Sequence, residues 1–295
     1  MTSLDVNTIQ IVRSIMETLP KRILSKQDMV NLFSKVSYEL SRTGKELQGV
    51  SNSKFIEMLL KQEVFKAVSL KSPYGNAPVR YSYGDISLYE LALSIHRLSY
   101  LCHGTAAFLH GLTKKRPPTI YINREQSSKP RSHAKLTQDG LDMAFSRPQR
   151  RSQFVLRYRQ SKITLLSGKN SNRLGVHQIE GERRMQIDVT GLERTLIDIT
   201  VRPGYAGGVN NVLECFRASR GRIDSKELIR ILRALDYIYP YQQALGYYMQ
   251  KAGFQPDSWT ELRSQGLHYD FYLEHGMKER KYDSNWRVFY PSTAG

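Results

Sequence analysis

Apolar residues recur at helical spacing through the first sixty positions. Ile11, Val12, Ile15, Met16 and Leu19 form one stripe that stops at Pro20, where a helix cannot continue. Ser25 and Asp28 supply a Ser-x-x-Asp capping signal, and Met29, Leu32, Phe33 and Val36 carry a second stripe. After the polar, glycine-containing SRTGKELQG, the Ser51, Asn52, Ser53 run opens a third helix whose apolar side is Phe55, Ile56, Leu59 and Leu60. Two β-prone runs follow, VFKAVSL (64–70) and VRYSY (79–83), joined by SPYGNAP, whose proline and glycine suit a turn.

Three short helices followed by a hairpin is the order of a winged helix-turn-helix. On that reading Ser51, Asn52, Ser53 and Lys54 face base edges or phosphates at the head of the third helix. Lys66, Lys71 and Arg80 on the wing pair with phosphates. Ser51 or Ser53 serves equally well as a plain N-cap, and winged helices also dock proteins.

From residue 87 the pattern changes, which divides the chain into an expected winged-helix domain at 1–86 and a second, mixed α/β domain at 87–295. Leu88, Leu91, Ala92, Ile95 and Leu98 form an apolar helical face, and YLCHGTAAFLHGL (100–112) forms a second, Ala-rich helix closed by Gly111. His103 and His110, seven apart, share a similar face but have no third ligand at metal spacing, so they read as structural histidines.

A β-rich block follows: TIYIN (119–123), QFVLRYR (153–159), KITLL (162–166) and RMQIDV (184–189). Alternation in QFVLRYR puts Phe154, Leu156 and Tyr158 on one face and Arg157 and Arg159 on the other. Residues 256–295 are read as an extension with one more strand pair completing the second domain's sheet. The fold class is therefore α+β.

Charge sharpens this picture. Forty-four Lys and Arg against 27 Asp and Glu give a net charge of +17, which points to a polyanionic partner. Residues 1–90 hold only +3 of it, whereas 114–162 hold +10. Lys129, Arg131, Arg147, Arg150 and Arg151 belong to that stretch, with Arg157 and Arg159 on its strand. Such a surface tracks a phosphate backbone or receives an acidic partner protein. The chain has no apolar run of membrane-spanning length and no secretory signal at its start, and its two cysteines suit a reducing compartment, so it is expected to be soluble and cytoplasmic.

The most specific string is VTGLERTLIDI (189–199). Thr190 and Glu193 have the spacing of a capping box that starts a helix where a strand has just ended, and Leu192, Leu196 and Ile199 bury along it. Arg202-Pro203-Gly204 stops that helix before a Gly207-Gly208 turn. A further helix spans 209–219, a second capping box runs from Asp224 to Glu227, and Tyr241 to Lys251 forms another helix.

With these residues in place the chain resembles the AbiEi family of antitoxins from bacterial type IV toxin-antitoxin and abortive-infection systems. The resemblance rests on the N-terminal winged helix, the YLCHGTAAFLHGLT segment, the IYI strand after it, and above all LERTLID with its downstream Gly-Gly. It runs over roughly residues 5 to 255. It implies a two-domain regulator whose N-terminal domain binds inverted repeats in its own promoter and represses the operon. The C-terminal domain would neutralise a nucleotidyltransferase-like toxin and add basic surface to DNA binding. Thr190, Glu193, Arg194, Thr195 and Asp198 are the family-motif positions.

The resemblance implies no catalytic residue, cofactor or metal. Two other classes stay open: a winged-helix regulator or adaptor without an antitoxin role, and a metal-dependent nuclease. A nucleotidyltransferase's Gly-Ser with Asp-x-Asp is absent, and SGKN at 167–170 lacks the preceding glycine of a phosphate loop. Glu180, Glu182 and Asp188, beside Arg183 and Arg184, are a weak imitation of a nuclease carboxylate cluster.

Overall fold

A computed structural model of the chain describes residues 3–75, 77–128, 135–182 and 185–294; Lys129 and Arg131 lie outside the described residues. The fold is α+β, with eleven α-helices and three sheets among the described residues. It separates into two compact units. The first holds residues 1–97 together with 155–162 and 180–187, and the second holds the remainder. The division expected at residue 86 thus falls at 97.

In the first unit the order is α1 (Val6–Thr18), β1 (Ile23–Leu24), α2 (Lys26–Ser41), α3 (Asn52–Lys61), β2 (Lys66–Ser69) and β3 (Val79–Ser82). Local chemistry sets the helix starts. The Asp5 carboxylate accepts from the Thr8 amide at 2.7 Å, Ser25 and Asp28 close a full capping box, and Ser51 accepts from the Lys54 amide. Leu19 leaves helical geometry because the residue before a proline is pushed to extended backbone. Val12 and Met16 of α1, Met29, Leu32 and Val36 of α2, and Phe55, Ile56 and Leu59 of α3 meet in one buried core. The strands form a small antiparallel sheet in the order β1-β3-β2, with Leu24 opposite Tyr81 and Val68 opposite Arg80.

The stretch expected to be two helices is reorganised. Helix α4 covers only Leu88–Leu93, opened by a Ser87–Glu90 capping box, and Leu98 is exposed with a left-handed backbone. Tyr100–Leu101 is a strand, β4, before α5 (His103–Leu109). Both β4 residues are completely buried: Leu101 pairs antiparallel with Ile122 of β5 (Thr119–Glu125) and parallel with Val189 of β9 (Gln186–Thr190). Tertiary pairing overrides the helical pattern there, because an interior strand two residues long leaves no periodicity to read. Gly111, with a positive φ, closes α5 as expected.

The larger sheet has the order β6-β7-β5-β4-β9-β8, with β6 at Val155–Tyr158, β7 at Ser161–Gly168 and β8 at Val176–Glu180. In β6, Leu156 is buried and Arg157 exposed, as alternation requires, but Phe154 precedes the strand and is exposed. Helix α6 (Gln138–Ser146), capped by Thr137, had no counterpart in the sequence pattern.

Helices α7 (Leu192–Val201), α8 (Val209–Ser219), α9 (Ser225–Leu235) and α10 (Tyr241–Lys251) build the main core of the second unit, and a short α11 (Thr260–Ser264) follows. The C-terminal residues do not complete the larger sheet. They form a sheet of their own, β10 (Phe271–Tyr272), β12 (Val288–Pro291) and β11 (Arg280–Asp283), in that spatial order. Its anchor is Trp286, fully buried, whose indole N–H donates to Gln250 Oε1 at 2.7 Å.

Gly246 of α10 faces the Trp286 ring so closely that a Cβ would overlap it. The Gly246→Ala variant is therefore expected to lose about 1–3 kcal/mol by overpacking, despite alanine's better helix propensity, as read by urea unfolding.

Candidate nucleic-acid interface

Helix α3 buries Phe55, Ile56, Met58 and Leu59, which fixes what remains outside. Its leading turn, Asn52, Ser53 and Lys54, is exposed, and Glu57 and Lys61 continue that surface. The Ser51 hydroxyl is exposed as well, but it accepts from the Lys54 amide at 3.3 Å and so acts as the cap. Of the four residues expected to read DNA here, three therefore present exposed side chains that cap nothing among the described residues.

Lys66 and Lys71 are exposed on and just after β2. Arg80 is not available to a phosphate. It is buried, and its guanidinium donates to the carbonyls of Ser94 at 3.0 Å, Ile95 at 3.1 Å and Val79 at 3.0 Å. Ser94, the C-cap of α4, and Ile95 after it therefore lie against the Arg80 side chain, and a cation there satisfies carbonyls left open at the helix end. The same contacts explain why the first unit extends to residue 97. Burial lowers the Arg80 pKa from its ordinary value.

The first unit also gathers cations from far along the chain. Arg157 and Arg159, both exposed, lie in the 155–162 segment that belongs to it. Counted over its residues, the unit carries eighteen basic and eleven acidic side chains, +7 rather than the +3 of the N-terminal stretch alone.

In the second unit, Arg147, Arg150 and Arg151 are exposed along a segment held by its backbone and by two uncharged side chains. The Arg150 carbonyl accepts from Arg202 at 2.8 Å, the Ser152 amide donates to the Tyr205 hydroxyl at 2.9 Å, and Gln149 donates to the Val201 carbonyl at 3.3 Å.

The LERTLID string lies inside the fold. Gly191, not Thr190, is the N-cap of α7, so the Thr190–Glu193 capping box does not form. The Thr190 hydroxyl instead meets that of Thr195 at 2.8 Å, both fully buried, while Glu193 accepts from the Asp224 amide that precedes α9. A capping geometry shifted by one residue leaves Thr190 in β9 and sends Glu193 to a neighbouring helix.

Arg194 and Asp198, one turn apart, form a buried ion pair at 2.8 Å. Arg194 also donates to the Leu174 carbonyl at 2.7 Å and to the Ser171 hydroxyl at 3.2 Å. Burial works against its charge, but Asp198 outweighs it and raises the Arg194 pKa.

This pair opens a polar network that the sequence did not reveal. Ser171 and the Arg173 amide donate to Glu125, Tyr100 donates to Glu125 at 3.2 Å, and Asn123 donates to the Tyr100 hydroxyl at 2.7 Å. Burial raises the Glu125 pKa, yet the hydrogen bonds from Ser171, Arg173 and Tyr100 hold it below the usual carboxylate range. The only hint in the sequence was charged or polar residues at the ends of apolar strands.

The candidate nuclease carboxylates do not converge. Asp188 is engaged by Arg173 at 2.7 Å, and no group of three metal-ligating side chains forms among the described residues. His103 and His110 occupy separate environments. His110 Nε2 donates to the Thr190 carbonyl at 2.6 Å, and burial lowers its pKa. His103 is buried against the Tyr205 ring with Nδ1 unpartnered, and burial pushes it down to about 4. No helix among the described residues is long and apolar enough to cross a membrane.

No protein-family model matches the chain, and no curated protein matches it. Among solved structures, the chain is similar to the crystal structure of the Rv2827c protein from Mycobacterium tuberculosis, at 14% identity and a TM-score of 0.57. The alignment covers 98% of this chain and 92% of that one. At that identity the likeness is one of fold, and it spans both units.

Two outcomes follow from the buried groups. Asp198→Ala strands the Arg194 guanidinium without its counter-charge and is expected to cost about 3–5 kcal/mol in chemical denaturation, whereas Asp224→Ala, which removes an exposed cap, costs about 1. His103 stays neutral in the fold down to about pH 4, while an unfolded chain protonates it near 6.5. Stability is therefore expected to fall as pH drops from about 6.5 to 4, by roughly 3 kcal/mol at the limit. In His103→Asn, whose side chain tolerates the left-handed backbone at that position, this part of the pH dependence should vanish.

Proposed function

We propose that this protein is a sequence-specific duplex-DNA-binding repressor of the antitoxin type, with the first unit as the reader. The observation that carries the reading is the order α1-β1-α2-α3-β2-β3 with the leading turn of α3 exposed and its opposite side locked in the core. That order is compatible with a winged helix-turn-helix, in which the third helix would enter the major groove and the β2–β3 hairpin would lie along the backbone. Asn52 and Lys54 have the chemistry for base edges: an amide for adenine and an ammonium for guanine. The +7 of the first unit supplies the phosphate attraction that the N-terminal stretch alone lacks.

The antitoxin half of the proposal rests on the resemblance carried by LERTLID. The string is interior, so it supports the proposal as a fold determinant, and toxin neutralisation would use other surfaces. Exposed Arg147, Arg150 and Arg151 then serve as an auxiliary phosphate-binding surface.

Gel shifts with the DNA immediately upstream of the gene, against a scrambled duplex and at two salt concentrations, test the reading. Preference for the upstream duplex at moderate salt is expected, and equal affinity for both duplexes defeats it. Lys54→Ala is expected to relax sequence preference. The Arg150→Ala, Arg151→Ala double variant is expected to weaken both duplexes alike and to reduce the salt slope by about 0.9 for each phosphate that it no longer neutralises.

A further inference from the structure

An isolated antiparallel bridge joins Lys71, just after β2, to Arg157 in β6, eighty-six residues away along the chain. The Lys71 amide donates to the Arg157 carbonyl at 2.9 Å and the Arg157 amide donates back at 2.8 Å. Residues exchanging both bonds in this way stand directly opposite, with side chains on one face and Cβ atoms about 5 Å apart. Both side chains are exposed, and neither has an ion-pair partner among the described residues.

Two cations placed directly opposite across a ladder repel each other. The arrangement works against the free fold. The adjoining residue adds to it: Arg159, also exposed, sits at the β6–β7 turn with φ +53°, a backbone conformation that glycine or asparagine adopts at far less strain. Lys162 extends the same hairpin, which carries no acidic side chain between 155 and 162.

We propose that Lys71 and Arg157 form a single phosphate grip, with Arg159 flanking it. In this arrangement the 155–162 hairpin acts as a second wing that carries the duplex backbone past the β2–β3 hairpin. The inference rests on the DNA-binding reading and adds the route of the backbone. A phosphate bridging the two cations removes the repulsion that the unliganded ladder contains, so the cost in the free protein becomes affinity in the complex.

The test pairs stability with binding in the full-length protein. Lys71→Gln and Arg157→Gln should each raise the unfolding temperature, by about 1 °C for a unit of this size, while weakening binding of the upstream duplex several-fold. Because both cations hold one phosphate, the double variant should lower the salt slope by about one unit, and each single variant by less. Arg159→Gly should likewise stabilise the protein and weaken binding.

A fall in unfolding temperature together with binding would show a purely structural pair and overturn the proposal. So would unchanged affinity of the double variant at both salt concentrations. If the wild-type protein binds no duplex at all, the DNA reading fails, and the grip is judged with inorganic tripolyphosphate. Thermal stabilisation by tripolyphosphate that the double variant loses would retain a phosphate site, and no stabilisation would overturn it.

Discussion

A buried guanidinium is the constraint around which the second unit is arranged. Arg194 cannot lose its charge and cannot be left without acceptors, so the surrounding chain must bring oxygen atoms to it. Asp198 comes from the next turn of the same helix, the Leu174 carbonyl from the approach to β8, and Ser171 from the loop after β7. Ser171 in turn fixes Glu125 at the end of β5, and Glu125 accepts from Tyr100 in β4. One side chain thereby coordinates a helix, a loop and two interior strands. A short motif can then be characteristic of a fold without touching any partner: Arg194 and Asp198 specify how the elements meet, since neither tolerates burial alone.

In the first unit the corresponding cation is Arg80, and its effect is on the surface it vacates. By donating to the Ser94 and Ile95 carbonyls just past α4, it ties that segment to the small sheet and is itself buried. The charge withdrawn there is replaced by the 155–162 hairpin. The first unit's exposed cationic surface thus draws on segments far apart in the chain. A count along the N-terminal residues alone understates it.

How much of this was legible follows from the range of each interaction. Helices α2, α3 and α9 could be read from Ser25, Ser51 and Asp224, because a cap and an apolar stripe are local signals. Strand β4 could not: Tyr100 is held by Asn123, twenty-three residues away, and Leu101 by Ile122 and Val189, twenty-one and eighty-eight residues away, and a two-residue element has no period. β8 was hidden for a different reason, as its mostly polar VHQIE lies at a sheet edge and buries little. The Thr190–Glu193 spacing suggested a capping box, but Gly191 shifted the helix start by one residue and released both side chains to tertiary partners. For the candidate site, the type of each residue was visible and its company was not. Asn52, Ser53 and Lys54 follow from α3 alone, whereas Arg80 and Arg157 depend on what folds against the sheet.

The two units use charge in opposite ways, and the contrast bears on function. Arg194 meets its counter-charge inside the protein, at 2.8 Å and buried among further acceptors. Lys71 and Arg157 are brought together by backbone bonds that hold like charges face to face in solvent. Folding alone favours the first arrangement and disfavours the second, and the proposed phosphate would relieve the second. Local disagreement with the rules of stability is where a binding function leaves its trace. On that ground the bridge between Lys71 and Arg157 supports the proposed phosphate grip more directly than the net charge of the whole chain, which a solvated surface would also produce.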